Sequence, residues 1–465
     1  MRLTNWGAML IVALLAFSAA PLRAQDVALT SRDGSLTLSG SLQGFDGLFY
    51  RIETRFGLLT VDAEGVICDG PACPDLIAPK AIIRIVGEGR AGASLLTPLL
   101  KAFADSRGVG FEPGQPAILR DLKTGSVLAE VSFAAISGAD AVLALESGRA
   151  DLMLGAAEQK GLAAREVALD ALVPIMAPGN PTPFVTTTDL AQALSARLGR
   201  DLAASVRHAD MDTLAVAVAR DPWALAVTGR TGAVPAQVLA LRDSCGFPLL
   251  PDPMAVKSED YPLSMPIFFQ IPRRHVGLVL REFLDFLSTP AADAAIAKAG
   301  YIDRAVTSQP LTADGLRLIN AINGAGAETT LEDLKRLTAL MDGRARLSLT
   351  FRFEGGSSRL DAHSQGGLAD LALMLEAGLL KDQDLIFAGF SDGSGAAAAN
   401  LDLSRSRAEA VLAALKLLAP SVPEAQLPGV EPLGEMLPIA CDETGAGRRL
   451  NRRVELWVRP KVLGD

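Results

Sequence analysis

Leu385-Ile-Phe-Ala-Gly-Phe-Ser-Asp392-Gly-Ser-Gly395 is the stretch that orders the rest of this 465-residue chain. It is followed by Asn400-Leu-Asp-Leu-Ser404-Arg-Ser-Arg407-Ala408 and, later, by Asn451-Arg-Arg-Val-Glu455. Leu385 to Phe390 is an apolar run of strand length, which Gly393 and Gly395 break into a turn. From Leu401 onward, apolar residues recur at Leu403, Val411, Leu412 and Leu415, the spacing of a helix with one buried face. Asp392 therefore falls at a strand end and Arg407 on the next helix. A carboxylate and a guanidinium fixed on neighbouring elements suit a small zwitterion: the first takes an ammonium, the second takes a carboxylate through its fork.

These residues resemble the OmpA-like peptidoglycan-binding domain. The matching positions are Asp392, Asn400, Leu403, Ser404, Arg407, Ala408, Asn451, Arg452, Arg453 and Glu455, with Phe351 to Leu360 as a first strand. Phe390-Ser391 departs from the His-Thr-like pair frequent in that family. The resemblance implies that Asp392 and Arg407 hold the diaminopimelate of the peptide stem, with Asn400 and Asn451 orienting it. Taken singly, Asp392 reads as a turn cap and Arg407 as a surface charge. Gly389-Phe-Ser391-Asp-Gly393 also fits a nucleophile elbow, but that motif needs a His after the Ser in chain order. His208, His275 and His363 all precede it.

The first residues read as a targeting segment. Arg2 precedes an apolar run from Met9 to Phe17, too short to span a bilayer, and Leu22-Arg-Ala24 offers a cleavage site. Residues 1–24 are thus expected to be a signal peptide, and Gln25 in place of Cys argues against a lipoprotein anchor. No later stretch reads as transmembrane, so the expected location is periplasmic and cell-wall associated. A net charge of −9 argues against nucleic-acid binding. In an oxidising compartment Cys68 and Cys73, which bracket a turn, are expected to pair. Cys245 and Cys441 lie in different expected domains, and their pairing stays open. No Cys or His cluster offers a metal site, and no cofactor is expected.

Residues 25–80 read as short alternating strands, a small β module. Ala81-Ile-Ile-Arg-Ile-Val86 then reads as a strand, Gly87-Glu-Gly-Arg-Ala-Gly92 as a loop, and Leu95, Leu96, Leu99, Leu100 and Phe103 as a helix. The loop matches the dinucleotide fingerprint, with Glu112 at the distance of a ribose ligand. Residues 81–305 resemble the phosphate-type periplasmic solute-binding proteins of ABC transporters better. The carrying motifs are Ala91-Gly-Ala-Ser94, Ser137-Gly138, Gly148-Arg-Ala-Asp151, Val167 to Met176, Tyr261 to Pro266, Phe283 to Ser288 and Lys298-Ala-Gly-Tyr301.

That resemblance implies two lobes, about 81–170 with 258–305 and about 171–257, and an anion held where Ser94 and Ser137 open helices. Gly138, Glu158 and Arg230 are further candidate anion-site residues. No Arg-Ser-Gly-Thr run lies between Ala171 and Lys257, so the second lobe is expected to be trimmed. Residues 306–345 read as a helical connector and 346–460 as the wall-binding domain.

The expectation is an α/β multidomain binding protein, not an enzyme, that captures phosphate or a similar anion and is tethered to peptidoglycan. An ABC-transporter permease is a partner implied by the resemblance. The alternatives are an envelope scaffold whose solute fold has lost its ligand, and an exported NAD-dependent enzyme.

Overall fold

A computed structural model describes residues 27–45, 48–73, 80–136, 138–159, 161–187, 208, 210–272, 276–323, 329–354 and 359–461. The expected signal peptide, Ser137 and the 188–207 part of the expected second lobe lie outside the described residues. The chain divides into two compact units: Met1–Ala81 with Val276–Glu282, and Ile82–His275 with Phe283–Asp465.

In the first unit, β1 (Val27–Ser31), β2 (Thr37–Phe45), β3 (Phe49–Thr54), β4 (Gly57–Asp62) and β5 (Val66–Asp69) form one sheet in the order β4-β3-β2-β1-β5. Alternation places Val27, Leu29, Tyr50 and Ile52 in a small core that also holds Cys68 and Cys73, which form a disulfide. Gly40 is required in β2, because a Cβ there would lie 2.2 Å from the Glu53 carbonyl oxygen.

The second unit begins with a mixed sheet built on β6 (Ala81–Gly87), β7 (Gly110–Glu112), β8 (Ala117–Arg120), β9 (Val127–Ala135), β10 (Leu152–Gly155) and β11 (Ala163–Met176). β12 (Phe184–Thr186), β13 (Leu225–Gly229), β14 (Gln237–Val238), β15 (Ala240–Arg242), β16 (Pro248–Leu249) and β17 (Ser264–Ile271) follow in chain order. The sheet order is β13-β11-β17-β10-β6-β9-β8-β7, with β14 on β11, while β12-β15-β16 form a smaller sheet. β11 spans 14 residues. Its first part pairs with β17 and its end with β13 and β14, so one strand runs through both halves of this fold.

Helices α1 (Gly89–Arg107), α2 (Ala139–Glu146), α3 (Met211–Arg220), α4 (Pro253–Lys257), α5 (Leu278–Phe286) and α6 (Pro290–Lys298) accompany these strands. Helix α1 buries Leu95, Leu96, Leu99, Leu100 and Phe103, as their spacing predicts. It starts at Gly89, however, so the expected six-residue loop is nearly absent. The glycines there serve packing. A Cβ on Gly87 would sit 2.0 Å from the Leu154 carbonyl oxygen, and one on Gly92 would sit 2.0 Å from the Phe133 ring. Glu112 pairs with Arg120 at 2.9 Å on the edge strand β7, separated from β6 by β9 and β8, so it does not come to that loop.

The last part of the unit has β18 (Ser308–Pro310), β19 (Ala345–Phe351), β20 (Gln383–Gly389), β21 (Gly429–Pro432) and β22 (Val454–Pro460), in the order β18-β19-β22-β20-β21. β20 is buried on both faces. Leu385 and Phe387 enter one core with α9 (Ala362–Glu376) and α10 (Ala397–Leu418), while Ile386, Ala388 and Phe390 enter a second. The second core takes Ala321 of α7 (Gly315–Asn323) and Leu337 and Met341 of α8 (Leu331–Met341). The two helices expected to connect domains are thus one outer layer of this fold. Helix α11 (Gly445–Asn451) precedes the last strand.

This sheet meets the fold built on the β6–β17 sheet through charge. β19 alternates Leu347, Leu349 and Phe351 into its core with Arg346, Ser348 and Thr350 on the other face, and Arg352 follows at its end. Asp260 takes Arg346 at 2.6 Å and Arg352 at 3.0 Å. Glu455 takes Arg453 at 2.6 Å, and also Arg317. All six of these charged side chains are buried. Close by, Glu166 accepts from His363 Nδ1 at 2.7 Å, and Arg304 bridges Glu166 and Asp370. A disulfide joins Cys245 to Cys441, which answers the open pairing.

Candidate functional site

β20 ends where helix α10 crosses it. Gly389 allows this approach, since a Cβ there would stand 2.2 Å from the Ser404 carbonyl oxygen. Beyond it the backbone is pinned: Phe390 N–H donates to Arg453 O and Ser391 N–H to Gly434 O, both at 2.8 Å. Asp392 follows on this fixed segment. Its Oδ1 accepts from the Ser394 N–H at 3.1 Å and its Oδ2 from Arg452 Nη1 at 2.9 Å. Burial pushes the Asp392 carboxyl up, but the donors of Arg452 and Ser394 together hold it below the usual carboxylate range.

Arg407 is half-buried on α10. Its Nη1 donates to the Phe390 carbonyl at 3.5 Å, and it makes no ion pair among the described residues. Burial, and then the like charge of Arg452, draw its pKa down, with Asp392 opposing them. A guanidinium that is partly desolvated, beside a second cation and short of acceptors gains from any carboxylate that enters. The buried face of α10 is Asn400, Ser404, Ala408, Val411 and Leu415, whereas Leu403, expected on that face, is 50% exposed.

Asn400 and Asn451 are both buried and hold the walls rather than reaching outward. Asn400 Nδ2 donates to Glu435 at 2.7 Å. Asn451 Oδ1 accepts from the Ile439 and Ala440 N–H groups, and its Nδ2 donates to Ala440 O and to Asp442 Oδ1 at 2.9 Å. That fills the amide's capacity, so the expected contact of Asn451 with a ligand is corrected to a positioning role. Asp442 Oδ2 in turn accepts from the Gly393 N–H at 2.7 Å, beside Asp392.

Sequence reasoning left Arg452, Asp442 and Glu435 off the site. Arg452 and Arg453 are adjacent and chemically alike. Only the structure separates them: Arg453 is fully buried beneath the Phe390 ring, and Arg452 faces Asp392.

The expected anion site is reassembled. Ser94 does not open a helix: it sits inside α1, its hydroxyl donating to Arg90 O at 2.7 Å and lying 2.9 Å from Tyr301 Oη. Gly138 does precede α2, at φ 63°. Glu158 is exposed and feels Asp361, Glu354 and Glu166; burial first and those carboxylates next raise its pKa.

Arg230 heads the turn after β13; its carbonyl accepts from the Ala233 N–H, and its side chain makes no hydrogen bond or close ion pair among the described residues. Near it, buried Asp170 accepts from the Ala171 N–H, the Thr231 N–H and the Thr231 hydroxyl, and burial pushes its carboxyl up despite them. Arg90 lies over Gly232, where a Cβ would be 2.6 Å from its Nη2. Arg90, Asp170, Thr231 and Tyr301 form the polar cluster that Ser94 and Arg230 alone did not reveal.

Among the described residues one His/Cys/Asp/Glu group has metal-like spacing, Cys245, Cys441 and Glu443, and its two sulfurs are joined in the disulfide. No helix among the described residues is long and apolar enough to cross a membrane.

Residues 352–452 match the OmpA family. No curated protein matches the chain. Among solved structures, the chain is similar to an ABC-type phosphate transport receptor from Vibrio cholerae at 15% identity and a TM-score of 0.35, over 48% of this chain and 99% of that one. It is similar to PstS from Borrelia burgdorferi at 12% identity and 0.33, over 48% and 99%. The C-terminal domain of a probable LysR family transcriptional regulator from Rhodococcus aligns at 14% identity and 0.32, over 45% and 100%.

Proposed function

We propose that this chain, whose residues 352–452 match the OmpA family, binds peptidoglycan by the zwitterionic end of a diaminopimelate stem. The observation that carries the reading is the unequal state of two neighbouring charges. Asp392 is pinned and ionised, and Arg407 is half-buried with a single long contact to a carbonyl. A ligand carboxylate supplies the acceptors that Arg407 lacks, and a ligand ammonium joins Arg452 on Asp392. Binding, not catalysis, is the activity proposed, in the periplasm at the cell wall; the two disulfides support an oxidising location.

The remaining fold is proposed to hold a small anion such as phosphate, with Arg230 and Arg90 as the groups that meet it. A permease partner belongs to the same proposal. Calorimetry against phosphate and sulfate tests that half. Co-sedimentation with purified sacculi tests the main claim. The parent protein is expected in the pellet, and Asp392→Ala and Arg407→Ala in the supernatant. Pelleting of both variants at the parent level would place the wall contact elsewhere.

A further inference from the structure

We infer that Asp243 and the Cys245–Cys441 disulfide, which belong to the solute-binding-like fold on one side, are positioning elements of the wall-binding pocket on the other. This rests on the pocket reading above and adds its support. The path is short and continuous. Asp243 is fixed by its own turn, its Oδ1 accepting the N–H groups of Cys245 at 3.1 Å and Phe247 at 2.8 Å. Its Oδ2 reaches across to the Cys441 N–H at 2.7 Å. The disulfide joins the same two turns covalently, and the Ser244 hydroxyl lies 3.2 Å from Cys441 Sγ.

The next residue is Asp442. One of its oxygens takes the Gly393 N–H and the other takes Asn451, and its carbonyl takes Arg448 at 2.6 Å. Gly393 is the residue after Asp392, so the clasp ends one peptide from the charge that would meet the ligand's ammonium.

Two glycines mark how tightly this path is fitted. A Cβ on Gly393 would come 2.8 Å from Asp442 Oδ2, and one on Gly447 would come 1.8 Å from the Cys441 carbonyl oxygen. Segment 439–442 otherwise lacks regular secondary structure, so its place is set by Asn451 from within and by Asp243 and Cys245 from the other fold. Loss of the outer clasp leaves the strand framework of β20 and β22 intact and frees the loop that carries Asp442.

The test uses the full chain with Asp243→Asn, with Cys245→Ser/Cys441→Ser, and with all three changes, measured in two ways. Amide hydrogen exchange is expected to rise in the segments 391–394 and 438–442 and to stay at the parent level in β20 and β22. Sacculus affinity is expected to fall about fivefold or more in the triple variant. In an Asp442→Ala background the same three changes are expected to add nothing, which a merely general destabilisation would not produce. Parent-level exchange at 391–394, or an undiminished effect in the Asp442→Ala background, overturns the inference. The exchange readout does not depend on what the pocket binds. A protein that shows the exchange change but ignores sacculi keeps the link and removes the wall reading.

Discussion

Two clusters of arginines and carboxylates lie within one compact unit, and they are opposite in state. In the first, Asp260, Arg346, Arg352, Arg317, Arg453 and Glu455 are all buried and paired. Glu455 also accepts from the Trp457 indole at 2.9 Å, and Arg453 donates to Leu437 O at 2.9 Å. In the second, Asp392 is paired with Arg452 while Arg407 keeps most of its donors unused. Both contain the residue types that bind a zwitterion. What separates the two is a path to water, not the composition, since buried Arg317, Arg346 and Arg352 also keep guanidinium nitrogens without a hydrogen bond. The buried cluster joins two folds; the open one has charge to offer.

The comparison breaks most sharply at Glu455. Glu455→Ala leaves Arg453 buried without its carboxylate and Arg317 with only Asp314 at 3.6 Å, and the expected loss is about 3–5 kcal/mol of stability in thermal or denaturant unfolding. A loss under about 1 kcal/mol, the surface-pair scale, would show that water reaches this cluster.

His363 sharpens the comparison through pH. Its Nδ1 faces Glu166 and its Nε2 faces the Lys257 carbonyl at 2.8 Å, two acceptors, so the ring bonds both only as imidazolium. Burial pulls its pKa down, but Glu166, and more weakly Glu259 and Asp361, outweigh that and push it up to about 9. A raised pKa gives stability that is fully present below the unfolded value near 6.5 and is lost as pH rises through about 9. Melting followed from pH 6 to 10 is expected to lose about 3 kcal/mol in the parent and much less of it in His363→Gln. Identical pH profiles would remove His363 from the joint between the folds.

Asp392 has the opposite sign. Its depressed carboxyl contributes above the ordinary carboxylate range and loses that contribution as pH falls through its lower folded value. Sacculus retention is therefore expected to persist to mildly acidic pH and to drop only near the bottom of the carboxylate range. Retention lost already near neutrality would mean that another group controls the site.

The smallest effect belongs to the open cluster's own stability. Arg407→Ala is expected to change unfolding by only about 0.5 kcal/mol, because the side chain makes one long hydrogen bond. A change as large as that at Glu455 would make the two clusters equivalent.

Much of the open site was legible in the sequence because its parts are local. Leu385 to Gly389 lies in a strand, the residues after it turn, and Arg407 follows on a helix within one short stretch. The walls were not legible for a geometric reason. Asp442 lies 49 residues from Gly393, and Asn451 carries a motif position whose amide is turned inward. Arg452 and Arg453 differ only in which side of the chain they leave.

The joint between folds was less legible still. The contacts of Asp260 with Arg346 and Arg352 span 86 and 92 residues, and no local pattern announces them. Helices α7 and α8 show the same limit. Their apolar spacing marks them as helices, but only the second face of β20 shows that they are a layer and not a link. The glycines around Gly87 match a phosphate-loop pattern by spacing, yet Leu154 and Phe133 account for two of them by contact.

The most direct test of the central claim is a titration of the full chain with two stem peptides that differ in one group, one ending its side chain in the diaminopimelate amino acid, the other in lysine. Asp392 can meet the ammonium of either, and only diaminopimelate brings the carboxylate for Arg407. The account predicts tighter binding of the diaminopimelate peptide by the parent, and equal, weak binding of both by Arg407→Ala with its melting temperature unchanged. Equal affinity of the parent for the two peptides, or parent-level preference in Arg407→Ala, would contradict it.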